Sequence, residues 1–284
     1  MKKFIFWLIH SKLPMLGRIY AAIFNKKGYY TFSGWGLTTT SSYPPWVNTI
    51  KDKKNIHNIF LEIDQDLKER IKNKKFFSTE NRHFTKLSEH YERLEYLKWR
   101  HYILFITSLY AAQYTKSKNK TFVECGVGDG FSAYYAINAL KKKKIKFKCY
   151  LYDSWSSMKK KYLNQKELRL FKDNKYDYLD FDLVKKNFKH DNNVNFIRGY
   201  LPQSLKLKKL KKISWLSIDL NSAKPTVAVL DHLYKKIEKG GVIILDDYGG
   251  SGYVETKLAV DIFFRKKKSI VLQFPTGQAM IIKS

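Results

Sequence analysis

The stretch that most constrains this chain is Thr121–Leu140, TFVECGVGDGFSAYYAINAL. A β-rich run, Thr121–Cys125, enters a turn with three glycines, Gly126-Val127-Gly128-Asp129-Gly130, and an alanine-rich, helix-favouring segment leaves it. Strand, glycine turn and helix in that order are how a parallel sheet lets main-chain N–H groups approach a ligand at a helix N-terminus. The spacing excludes the dinucleotide loop. That loop needs G-x-G-x-x-G, and the position of its third glycine is Phe131. The pattern here is acid-x-G-x-G-x-G, from Glu124 through Gly130.

A chain of 284 residues can hold one large α/β domain with an extension and bury a sizeable core. Its two cysteines, Cys125 and Cys149, fall in predicted strands and are too few for a disulfide framework. They read as reduced core residues of a cytoplasmic protein. The formal charge of +29 invites a nucleic-acid or membrane partner. Only eight of the 54 basic residues are arginine, however, and surfaces that grip phosphate generally use the arginine fork as well. The excess therefore reads first as a lysine-rich composition.

Residues 1–24 begin with Lys2-Lys3 and a short apolar run that His10, Lys12, Pro14 and Arg18 interrupt. This is too broken for a membrane span and shows no small-residue cleavage site. It reads as a helix packed on the following domain; the alternative is a segment lying on the inner face of an anionic membrane. Residues 29–46 form a loop by their Gly, Ser, Thr and Pro content, yet carry six aromatics. They read either as an arm closing over a ligand or as a strap in a groove of the same domain. Asn55–Lys75 and Phe84–Tyr114 have helical spacing and are expected to cap the ligand edge of a sheet. Arg100 and His101, within the second, read as structural. Residues 1–115 are thus expected to form an arm and helical cap, and 116–284 the ligand-binding domain.

From Thr121 strands and helices alternate. The predicted strands are Thr121–Cys125, Phe147–Tyr152, Val194–Arg198, Trp215–Asp219 and Val242–Leu245, with helices at Thr226–Glu238 and Glu255–Phe264. That rhythm implies right-handed crossovers and a parallel sheet. Ser269–Phe274 and Gln278–Lys283, joined by Pro275-Thr276-Gly277, read as a closing hairpin. Lysine runs at 141–144, 206–212, 235–239 and 266–268 each follow a helix and precede a strand, which places them on the edge opposite the ligand crevice. Only Lys159–Lys161 falls near it, so nucleic acid is an unfavoured partner.

The loop Glu124–Gly130 looks like motif I of the class I S-adenosylmethionine (SAM) methyltransferases, and the hairpin ending agrees with their antiparallel last strand. The fold this implies is a Rossmann-like α/β sheet, mostly parallel with an antiparallel C-terminal strand, plus the helical cap. Glu124, Gly126, Gly128 and Gly130 would then hold SAM. Asp153, with Ser154 and Trp155, ends the second strand where a carboxylate can accept both ribose hydroxyls; the alternative is that it caps the next helix. Gly199 and Tyr200 fall where such enzymes enclose the adenine.

In that sheet the fourth and fifth strands are neighbours, so Asp219, Asp246 and Asp247 converge at the crevice. Such a concentration of negative charge calls for a proton or a hard cation, most simply Mg²⁺, which could bind adjacent hydroxyls of an acceptor. The alternative has Asp219 touch the SAM amino group while the pair caps a helix or faces water. Ser217-Ile218-Asp219, Gly240 through Tyr248 and Lys257 through Asp261 resemble the macrocin O-methyltransferase family, as do Asp153-Ser154-Trp155 and Gly199-Tyr200-Leu201. The resemblance implies a SAM- and Mg²⁺-dependent O-methyltransferase of sugar hydroxyls, with Asp219, Asp246 and Asp247 as metal ligands; no motif selects a base, and Asp219 is the candidate once a metal lowers the acceptor pKa. The family's D-x-D-L-Y-E-S-T is here Asp219-Leu220-Asn221-Ser222-Ala223-Lys224-Pro225-Thr226, which loses the second acid, the tyrosine and the glutamate. An RNA or DNA methyltransferase and a non-catalytic SAM-fold scaffold at a membrane are the competing readings. No [D/N]-P-P-[Y/F] or Pro-Cys motif supports the former, and the intact site residues oppose the latter.

Overall fold

A computed structural model describes residues 56–76, 94, 97–170, 176–250 and 252–284, with the side chains of 169 and 170 excepted. The basic segment at 1–24, the aromatic arm at 29–46 and the start of the second predicted helix lie outside the described residues. The elements run α1 (Ile56–Lys72), α2 (Lys98–Tyr114), β1 (Lys120–Cys125), α3 (Phe131–Lys142), β2 (Phe147–Asp153), α4 (Gln165–Leu170), α5 (Phe181–Asn187), β3 (Val194–Arg198) and β4 (Ile213–Ile218). They continue with α6 (Ala223–Leu233), β5 (Ile237–Leu245), α7 (Val254–Lys266), β6 (Leu272–Gln273) and β7 (Ala279–Ile282). The seven strands form one sheet in the order β3-β2-β1-β4-β5-β7-β6. Strands β1 to β5 pair in parallel, and β7 runs antiparallel between β5 and β6.

The central strands β1 and β4, and β5 from Gly241 to Leu245, are almost wholly buried on both faces because their side chains alternate between two cores. Phe122, Trp215, Val242 and Ile244 point to the side covered by α1, α2 and α3. Val123, Cys125, Leu216, Ile218, Ile243 and Leu245 point to the side covered by α6 and α7. Both cysteines are buried free thiols, and burial pushes both thiol pKa values up. Among the described residues no helix is long and apolar enough to cross a membrane.

The boundaries between α6 and β5 lie five residues earlier than the sequence expectation. The fourth helix-forming run ends at Leu233, and β5 begins at Ile237, before the glycine pair, because Ile237 pairs with Ile213. Gly240 and Gly241 sit inside that strand, where its register with β4 shifts and Gly240 adopts φ +79°. Of the two helices expected to cap the ligand edge, α2 reaches it with its first two turns, through Arg100, His101 and Leu104. The rest is buried on nearly every side against α3, β4 and β5.

Candidate active site

A cavity of about 380 Å³ opens at the carboxyl ends of β1, β2, β4 and β5, within the size range of small-molecule sites. The glycine turn after β1 forms its floor. Gly126 (φ +89°) passes so close to the end of β4 that an added Cβ would lie 1.7 Å from the Asp219 carbonyl oxygen. At Gly128 (φ +54°) an added Cβ would meet nothing within 4 Å, so the main chain here borders open cavity. That gap is a cradle any side chain would fill.

Asp153 holds the turn from beneath. Its Oδ2 accepts from the N–H groups of Val127 (2.7 Å) and Gly128 (2.9 Å), and its Oδ1 from that of Trp155 (2.8 Å). Burial pushes this carboxyl up, and the three N–H donors pull it back. No helix cap is involved. Trp155, 2% exposed, donates its indole N–H to the Gly128 carbonyl at 3.0 Å, so carboxylate and indole bracket the turn from donor and acceptor sides.

The other sequence-predicted residues divide into wall and support. Gly126, Gly128, Asp153, Ser154, Gly199, Tyr200 and the three aspartates line the cavity; Glu124, Gly130 and Trp155 do not. Gly130 (φ +88°) starts α3 with no room for a side chain beside the Phe188 ring. Glu124 is 2% exposed beneath the floor, and its Oε2 has no hydrogen-bond partner. Burial, then Asp219 and Asp153, push its carboxyl well above the usual range. Tyr200 donates to the Ser157 carbonyl (2.9 Å), stacks on Tyr162 at 5.8 Å and carries Lys159 over its ring at 4.1 Å.

The acids meet because β4 and β5 are neighbours. Ile218 lies beside Leu245, and the Asp246 N–H donates to the Ile218 carbonyl at 3.0 Å. Ligand atoms of Asp219, Asp246 and Asp247 lie within 4.8 Å of one another. Asn221 ties two of them: its side-chain amide donates to Asp219 Oδ1 and its main-chain N–H to Asp247 Oδ2, both at 3.0 Å. Its Oδ1 accepts from Tyr176 (3.0 Å) and Tyr253 (2.7 Å). Asp246 takes the Gln278 amide at 2.9 Å and pairs with the Arg100 guanidinium. Burial and Asp219 still push the Asp247 carboxyl well up, with Arg100 opposing.

Among the wall residues not assigned to the site from sequence are Arg100, His101, Tyr176 and Tyr253. The signal for the first two was a polar pair at the start of an otherwise apolar helix. Here His101 is 4% exposed and stacks on Tyr135 at 4.5 Å. His232 is exposed, on α6, away from the cavity wall.

A parallel sheet with a reversed strand between the last two, and a glycine cradle with a carboxylate behind it at the end of the next strand, define a class I SAM-dependent methyltransferase. Residues 103–274 match the model of the macrocin-O-methyltransferase (TylF) family, and the chain belongs to that family as a SAM-dependent O-methyltransferase. Solved structures agree on the fold. The O-methyltransferase NovP matches with a TM-score of 0.58 at 18% identity, over 65% of this chain and 79% of its own. CalS11, a calicheamicin methyltransferase, matches with a TM-score of 0.54 at 14% identity, over 78% of this chain and 91% of its own. No curated protein sequence matches the chain significantly.

Proposed function

We propose that this enzyme methylates a sugar hydroxyl, in a glycan or a glycosylated metabolite, with a divalent cation held by Asp219, Asp246 and Asp247. The observation that carries this reading is the convergence of three carboxylates at one cavity wall. Their oxygen-only donor set suits a hard ion such as Mg²⁺; burial first, and then the neighbouring Asp219, push the Asp247 carboxyl up against the pull of Arg100. The family name and the tyrosine-rich wall support a polyhydroxyl acceptor. Two buried free thiols fit a cytoplasmic enzyme.

When bound, SAM supplies an electrophilic methyl on a sulfonium, and the cation supplies positive charge that acidifies a hydroxyl. The chain does the rest. Gly126 and Gly128 leave main chain bare for close approach, and Asp153 and Trp155 keep that main chain in place. Asp153 and Ser154 stand at the wall for the ribose, and Gly199 and Tyr200 for the adenine. Asn221 and Gln278 orient the acids. Asp219, beside the floor at Gly126, is the group assigned to take the hydroxyl proton as the O–C bond forms and the C–S bond breaks.

Transfer of labelled methyl from SAM to glycolipid, nucleotide-sugar and RNA fractions tests the reading, with wild type and Asp246→Ala compared with and without chelator. Label in a carbohydrate fraction that chelator and Asp246→Ala both abolish is expected. Label in RNA, or label indifferent to chelator, would overturn it.

A further inference from the structure

Nine large apolar side chains are exposed among the described residues, and five of them fall between 254 and 272: Val254, Leu258, Ile262, Ile270 and Leu272. The first three are more than half exposed and recur every four residues along α7, which sets them in one outward stripe. The opposite side of the helix, through Val260, Phe263 and Phe264, is buried in the core. Isolated exposed apolar residues are ordinary; three in register on one helix face, with Ile270 at 77% exposure shortly after the helix in the chain, are not.

The charge beside the stripe is of one sign. Arg265, Lys266, Lys267 and Lys268 follow Ile262, are all exposed, and make no ion pair with a described carboxylate. Lys267 instead rests over the Phe263 and Tyr234 rings, at 5.4 and 5.7 Å. The two acids of α7 are already engaged, Glu255 with Lys166 at 2.5 Å and Asp261 with Lys257 at 3.3 Å. Apolar side chains amid unpaired cations are complementary to one kind of partner: a surface with a negative, hydrated outside and an apolar interior. A second copy of this chain would bring its own +29 charge to the contact, and a nucleic acid would have no use for the aliphatic stripe.

We propose that α7 and the basic turn after it form a docking face for an anionic lipid bilayer. The stripe starts at Val254, next to Tyr253 in the cavity wall, so the docked enzyme holds the edge of its active site at the lipid headgroups. The proposal is independent of which acceptor is methylated.

Sedimentation of the full chain with phosphatidylcholine vesicles, with or without phosphatidylglycerol, tests it. Binding to the anionic vesicles alone is expected, falling about tenfold or more in Arg265→Gln/Lys266→Gln/Lys268→Gln and weakening with salt. Val254→Ser/Leu258→Ser/Ile262→Ser should lose binding about as much, with SAM affinity unchanged as the check on folding. An environment-sensitive dye on Leu258→Cys should shift to the blue on adding anionic vesicles. Binding that survives the serine variant, or vesicle capture with no shift at position 258, would assign the contact to another segment and overturn the proposal. So would a wild-type dimer that the serine variant dissociates, which would make the stripe a self-contact, or equal binding to uncharged vesicles.

Discussion

The glycine turn and the acid triad face one cavity, yet each handles a buried carboxylate differently. Asp153 is surrounded by main-chain donors: two N–H groups of the turn and that of Trp155, all supplied by the fold itself. Asp247 receives one N–H, stands beside another carboxylate, and depends on a guanidinium from a distant helix for relief. One end of the cavity is thus assembled by folding. The other gathers three carboxylates around the Arg100 guanidinium, and the proposed cation rests on that imbalance.

The sharpest way to break this contrast is at the floor. Gly126→Ala would force a methyl into the Asp219 carbonyl at a left-handed φ. It should cost about 3 kcal/mol or more and abolish SAM binding, read by urea denaturation and calorimetry. At the other end Asp246→Asn should leave SAM affinity nearly unchanged while lowering kcat by about a hundredfold, about 2.7 kcal/mol at the transition state. Added Mg²⁺ should raise the Tm of wild type and not of Asp246→Asn. Equal loss of SAM affinity in both variants would erase the distinction between the two ends.

Glu124 sharpens it in a different way, as a buried acid outside both arrangements. Its folded-state pKa is raised, so the folded chain keeps a proton that the unfolded chain has released. Its favourable share of stability is present below the ordinary carboxylate pKa and is lost as pH rises above it. Glu124→Gln should therefore match wild type near pH 4 and become the more stable of the two as pH rises to 8, in urea denaturation across that range. The smallest effect expected is that of Trp155→Phe. It deletes the indole bond to Gly128 and should weaken SAM binding about fivefold, near 1 kcal/mol.

Much of this molecule was legible in its sequence because the informative residues are local. Three glycines in five positions require a turn, and aspartates at the ends of consecutive strands must share an edge once the sheet is parallel. What escaped were residues brought in by packing. Arg100 reaches Asp246 across 146 positions, and Gln278 reaches it from the antiparallel strand region across 32. Nothing in the spacing of either residue signals that destination. Trp155 illustrates a finer limit. Its neighbourhood was legible but its direction was not; it turns under the turn to support Gly128 instead of facing the ligand.

The two thiols carry a practical consequence. Cys125 and Cys149 are 0% and 3% exposed with pKa values pushed upward, so the chain presents little thiolate to an alkylating reagent. In labelling experiments on the folded chain it should behave as though it had no cysteine. A single thiol engineered on α7 or at the cavity rim is therefore an addressable reporter, without first rebuilding the core to remove the native pair.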